Sequence, residues 1–221
     1  AHFIGHPDAF GNFLPAKPAG ETIKEPRTKF NKIILLPGSR RSEISLILPE
    51  MLAATAIIKR HDPNLNFVLP AVPHLLPLIE SLVEGSGVTI LDQPEDLIPA
   101  LQTSDAMIAT SGTITLQAAL CGTVGVTCYI TGAFSGFIGR RLVDLDKVIL
   151  PNAILGRPLY PFYFQEVVTG KTLAAATLDC LYDANAKSSA RHAAIELKSL
   201  LTGGAQSFDE LVISALKNWL D

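Results

Sequence analysis

Cysteine is scarce in this 221-residue chain. The three present, Cys121, Cys128 and Cys180, are too scattered for a disulfide framework or a zinc site. Charge is also scarce, at 18% of residues against 48% hydrophobic, with a formal net charge of −3. That balance excludes disorder and gives no bulk attraction to nucleic acid, so no nucleic-acid partner is expected and any basic site must be local. No apolar run approaches the ~20 residues that span a bilayer; the longest, Ile33–Leu36 and Val124–Ile130, are of strand length. No signal peptide is visible, and a cytoplasmic, reducing compartment is the default. His2, His6, His61, His74 and His192 share no ligand spacing with one another or with cysteine, so no metal is expected. No Ser-His-Asp or Cys-His grouping and no convincing general base can be picked out. The opening "AHFIGHPDAF" reads as mid-chain sequence, and the chain is expected to be a fragment of a longer protein.

What is present is a regular alternation. Residues 1–31, rich in proline and glycine, read as a linker or surface segment. Short apolar runs at 32–36, 66–71, 88–91, 105–110, 124–130 and 147–150 predict strands. Helical spacing predicts helices over 44–60, 74–84, 94–104, from 113 onward and 133–145, with Pro49 placed to bend the first. The pattern predicts an α/β domain over 32–165: a Rossmann-like parallel sheet with helices on both faces. From 166 to 221 it is all helical, over 171–183, 186–202 and 205–220. Phe208, Leu211, Val212, Ala215, Leu216 and Trp219 give the last helix an apolar stripe, suited to packing on another domain half or a partner subunit.

Ligands in such sheets bind beyond the carboxyl ends of the strands. Three polar loops are expected there, at 37–43, 110–113 and 151–158. In "LLPGSRRSEI", Gly38 permits close approach, Ser39 adds a hydroxyl, and Arg40 and Arg41 supply fork donors ahead of a helix N-terminus. The spacing is not that of a Walker loop. Two readings stand, a phosphate site or a turn capped by Ser42 with two solvated arginines. "ATSGTITLQAAL" (109–120) repeats the design. Ser111 or Thr113 can cap its helix, Gly112 opens an approach, and Gln117 lies one turn in, where its carboxamide can bond a sugar hydroxyl. The alternative there is a capped helix with a core-edge glutamine. "LPNAILGRPLYPFYFQE" sets Asn152, Arg157 and Gln165 in what reads as a structureless loop able to grip a diphosphate or a reacting sugar. Its alternative is an irregular connection that fills a groove with Phe162 and Tyr163. The helix at 133–145 joins Phe134, Phe137 and Ile138 to Arg140 and Arg141; it reads as core-facing rather than membrane-touching, since Asp144 and Asp146 follow at once.

Taken together, "LLPGSRRSEI", "SGTITLQAAL" with "GRRLV" downstream, "LPNAILGRPLYPFYFQ" and the opening "FIGHP" resemble the lipid-A-disaccharide synthases of Gram-negative bacteria, over essentially the whole chain. The resemblance implies a GT-B glycosyltransferase of lipid A and lipopolysaccharide biosynthesis, of which this chain is the C-terminal, donor-binding half. It implies transfer of 2,3-diacylglucosamine from UDP-2,3-diacylglucosamine to 2,3-diacylglucosamine 1-phosphate (lipid X), with inversion, giving the lipid A disaccharide 1-phosphate and UDP, without metal or other cofactor. It further implies a protein peripheral at the cytoplasmic face of the inner membrane and able to form an intertwined homodimer.

By motif, Gly38, Ser39 and Arg40 would meet the UDP diphosphate or the sugar. Ser111, Gly112 and Thr113 would offer a helix end to phosphate, and Asn152, Arg157 and Gln165 would complete the cleft. The family often carries Glu where this chain has Gln117; a carboxamide still accepts through its carbonyl but lacks the charge-assisted strength. The general base, the acceptor surface and the Gly-rich loop are expected in an N-terminal half that this sequence does not contain, so the chain alone is expected to bind nucleotide sugar weakly and to be inactive. Inverting transfer needs a base on the acceptor hydroxyl and stabilisation of the departing diphosphate, and only the second is offered here. The rivals are a UDP-GlcNAc 2-epimerase, the peptidoglycan GlcNAc transferase, which would lack the "LPN…GR…Q" segment, and a non-catalytic module that binds a phosphorylated ligand.

Overall fold

In the computed structural model, residues 6–11, 13, 31–131, 148–203, 205, 207–210, 212–213 and 217 are described. Strands β1 (Lys32–Leu36), β2 (Asn66–Pro70), β3 (Val88–Leu91), β4 (Ala106–Thr110), β5 (Gly125–Tyr129) and β6 (Phe162–Phe164) form one sheet in the order β3-β2-β1-β4-β5-β6. Every pairing is parallel. This is the doubly wound order, and the strand sequence reverses between β1 and β4.

The helices are α1 (Arg41–His61), α2 (Leu76–Val83), α3 (Leu97–Thr103), α4 (Thr113–Leu120), α5 (Leu150–Leu155), α6 (Gly170–Tyr182) and α7 (Ala186–Thr202). Alternation along β1 sorts them to two faces. Ile33 and Leu35 pack in one core with Ile44, Ile47, Leu48 and Met51 of α1, Ile79 of α2 and Leu173 of α6. Ile34 and Leu36 pack in the other with Leu101 of α3, Leu116 and Leu120 of α4, and Leu197 and Leu201 of α7. Each such fully buried side chain contributes about 1.5–3 kcal/mol of transfer free energy, so the two covers fix the sheet and with it the loops at its rims. Helix α1 runs unbroken through Pro49. No described helix is long and apolar enough to cross a membrane.

The last strand is where the sequence reading needs correcting. The run 148–150 is not a strand; it bends into α5, with a proline in the first helical positions. The sixth strand is instead Phe162–Phe164, three half-buried aromatics pairing with Thr127, Cys128 and Tyr129. Asn152 therefore sits in a helix that ends at Gly156 in a left-handed cap, not in a structureless loop. The expected helix at 133–145 lies outside the described residues, as does most of the segment 1–31, of which Pro7–Phe10 is a 3-10 turn. Of the expected terminal helix, residues 208–210, 212–213 and 217 are described, and they are helical.

Candidate functional site

Where the strand order reverses, the turn after β1 and the turn after β4 face each other across a cavity of about 500 Å³. Its walls include Gly38, Ser39, Arg40, Ser111, Gly112, Thr113 and Gln117, with Val72 and Pro73 from beyond β2 and Gln93 from beyond β3. Two helices begin at this cavity, α1 behind Arg40 and α4 behind Gly112. Neither N-terminus is capped by a side chain. The first-turn N–H groups of both helices thus have no intrahelical acceptor and carry the positive end of the dipole. Side-chain capping by Ser42, Ser111 or Thr113 is absent at both loops.

The turns are held from behind. The Ser111 N–H donates to the Cys128 carbonyl at 3.1 Å, tying the end of β4 to β5. The Thr115 hydroxyl donates to the Gly112 carbonyl at 2.6 Å. Gly38 has φ +105, a conformation that suits glycine alone. Arg40 donates from Nη1 to Glu43 Oε1 at 2.6 Å, and this bond, with the nearby charge, raises the guanidinium pKa. The Tyr129 hydroxyl donates to the same oxygen at 3.3 Å; burial and then the Glu43 charge push its pKa up. Gln117 Nε2 donates to Asp8 Oδ2 at 3.4 Å, leaving its carbonyl oxygen as the acceptor end.

Asn152, Arg157 and Gln165 do not line this cavity. Asn152 is buried, its Oδ1 accepting from the Leu159 and Tyr160 N–H groups at 2.9 and 3.0 Å and its Nδ2 donating to the Tyr160 carbonyl at 2.9 Å. Arg157 is exposed and forms a two-pronged pair with Glu196 at 2.9 and 2.6 Å. Gln165 follows β6 with φ 58, and its amide exchanges bonds of 3.4 and 3.3 Å with the Thr131 backbone. The sequence reading passed over Glu43. Its signal was its place on the apolar stripe of α1, beside Ile44 and one turn before Ile47, where a carboxylate is out of character.

Burial pushes the Cys121 and Cys128 thiols up to about 12, so neither is a thiolate at neutral pH. Among the described residues no group of three or more His, Cys, Asp or Glu side chains could hold a metal ion.

A family model described as Lipid-A-disaccharide synthetase matches residues 1–214. The Lipid-A-disaccharide synthase of Paraburkholderia xenovorans is 36% identical over 98% of this chain and 57% of its own length. That of Paraburkholderia phytofirmans is 38% identical over 84% and 48% respectively. The chain thus spans about half the length of the curated relatives it matches. Among solved structures, the glycotransferase of kitacinnamycin superposes with a TM-score of 0.54 at 15% identity, covering 93% of this chain and 47% of that one. A spinosyn rhamnosyltransferase complexed with thymidine diphosphate gives 0.52 at 17%, covering 86% and 46%. At such identities the likeness concerns the fold alone, that of GT-B glycosyltransferases.

Proposed function

Because this chain belongs to the lipid-A-disaccharide synthetase family, we propose that its cavity is the half-site that holds the UDP end of a glycosyl donor in lipid A synthesis. What carries the reading is the pair of helix N-termini, free of side-chain caps, that open on one cavity at the sheet's switch point. A diphosphate there accepts from the N–H groups behind Arg40 and Gly112 and from the Arg40 guanidinium. As charge grows on the departing diphosphate, those fixed donors stabilise it without reorganising. The Gln117 carbonyl, its amine end engaged by Asp8, receives a sugar hydroxyl. Asn152, Arg157 and Gln165 are given no ligand role, since none of them lines the cavity.

The donor is UDP-2,3-diacylglucosamine, the acceptor 2,3-diacylglucosamine 1-phosphate, and the transfer inverts. The buried carboxylate of the cavity, Glu43, is engaged by Arg40 and Tyr129, so the base for the acceptor hydroxyl is assigned outside this cavity. Acylated substrates put the work at the cytoplasmic face of the inner membrane, in a protein able to pair with a second copy.

The test is a UDP titration followed by backbone amide NMR. The expected shifts fall on residues 38–43 and 111–115, and Arg40→Ala weakens binding about tenfold, the size of one charge-assisted contact. Binding untouched by Arg40→Ala, or shifts confined elsewhere, would overturn the assignment.

A further inference from the structure

A carboxylate is an unexpected wall for a cavity that takes a diphosphate, because like charges repel and a buried charge must be paired. Glu43 is that wall, at 7% exposure. Three residues close on it. Arg40, from the turn before α1, donates to Oε1 at 2.6 Å; Tyr129, at the end of β5, donates to the same oxygen at 3.3 Å. Gly38 lies over Oε2 so closely that a Cβ there would sit 2.5 Å away. Arg40 is the opposite case, with 75% of its side chain exposed and Glu43 as its ion-pair partner. An exposed arginine without an anchor samples many rotamers, and ordering it on ligand binding costs affinity.

We infer that Glu43 is the positioning residue of this site: its buried carboxylate holds the Arg40 guanidinium over the cavity, with the remaining donors turned to the ligand's diphosphate. The inference rests on the reading of the cavity as a UDP site. Glu43 engages the guanidinium at one Nη and the Tyr129 hydroxyl lies against the same pair, which leaves part of the five-donor fork for a ligand in a fixed plane. The same pairing neutralises the carboxylate, so the ligand meets oriented donors and not a bare anion. A helix-capping or packing role alone would not couple Glu43 to Arg40 when ligand binds.

The test is a double-mutant cycle in the 221-residue chain, with UDP as the probe and thermal unfolding run in parallel. Glu43→Gln is expected to weaken UDP about tenfold when Arg40 is present and less than twofold when it is alanine, the scale of one charge-assisted contact. Glu43→Asp, which keeps the charge but is shorter, is expected to fall between. Without ligand, the ¹⁵N relaxation of Arg40 Nε is expected to report an ordered side chain in the wild type and a mobile one in Glu43→Gln. Losses that simply add, tighter UDP binding by Glu43→Gln, or a mobile Arg40 in the wild type would each overturn the positioning role while leaving the UDP site in place. No UDP binding by the wild type would overturn the reading of the cavity and the role together.

Discussion

The two rims of the sheet are built to opposite rules. At the amino rim polar groups close on one another. Asp105, leading into β4, accepts from the Asn31 and Lys32 N–H groups at 2.7 and 3.3 Å and pairs with Lys187 of α7 at 2.6 Å. Nearby, the Tyr160 hydroxyl donates to the Thr123 carbonyl at 2.8 Å, the Thr123 hydroxyl donates to the Leu101 carbonyl at 3.0 Å, and Asn152 clasps the Leu159–Tyr160 backbone. At the carboxyl rim two helices begin without a side-chain cap, and Arg40 and Gln117, anchored by Glu43 and Asp8, are not used up by those bonds. A group whose capacity is spent on protein has little left for a ligand; a helix end or side chain with capacity to spare has more. On the proposed reading, the contrast separates stability from binding along a single sheet.

The largest effect that could break this comparison is Asn152→Ala. It removes three hydrogen bonds, two of them buried, and strands their backbone partners, so about 3 kcal/mol of stability is expected to be lost, read from the urea midpoint. The folded fraction should keep wild-type UDP affinity. A loss of affinity in step with stability would mean that the amino rim also serves the ligand.

Asn152 also shows where reading the sequence worked and where it did not. The strand over 32–36 was legible as a short β-branched run ahead of a Pro-Gly turn, and the helix over 186–202 by sustained helical spacing. That the loops 37–43 and 110–113 lie together was legible by one rule, that the carboxyl ends of neighbouring strands share a rim, and both line the cavity there. The segment 151–158 was assigned to the same rim because 147–150 looked like a strand. Once the sixth strand is Phe162–Phe164, Asn152 precedes its strand instead of following one, and its amide lies at the other rim. Nothing local could reveal this, since three aromatics between Pro161 and Gln165 carry no period. Val72, Pro73 and Gln93 went unremarked although the same rule covers the ends of β2 and β3.

Asp105→Asn sharpens the comparison with a smaller loss, about 2 kcal/mol near neutral pH. Burial alone would raise the Asp105 pKa, but the Asn31 N–H, the Lys187 ammonium and the Lys32 N–H outweigh it, and the carboxyl sits below its ordinary 3.8. A lowered folded pKa means that the unfolded chain takes up the proton first. The stabilisation is thus complete above about pH 4 and fades as pH falls through the lowered value. Wild type and Asp105→Asn should differ in urea midpoint at pH 7 and converge in stronger acid. A constant gap down to low pH would mean that Asp105 acts through shape and not through charge.

The smallest expected change in stability, and the sharpest division between the rims, is Gly112→Ala. A Cβ there meets nothing within 4 Å, and φ 162 is extended backbone open to any residue. Alanine is a poorer N-cap than glycine, but it also narrows the unfolded ensemble, so the net change should stay within about 0.5 kcal/mol. The new methyl enters open space at the residue that precedes α4, where the proposed reading brings a phosphate oxygen. UDP affinity is therefore expected to fall about tenfold while the urea midpoint holds, the reverse of the Asn152→Ala result. Had the open rim only a structural purpose, the methyl would go unnoticed in both measurements, because the space it enters would hold water and nothing else.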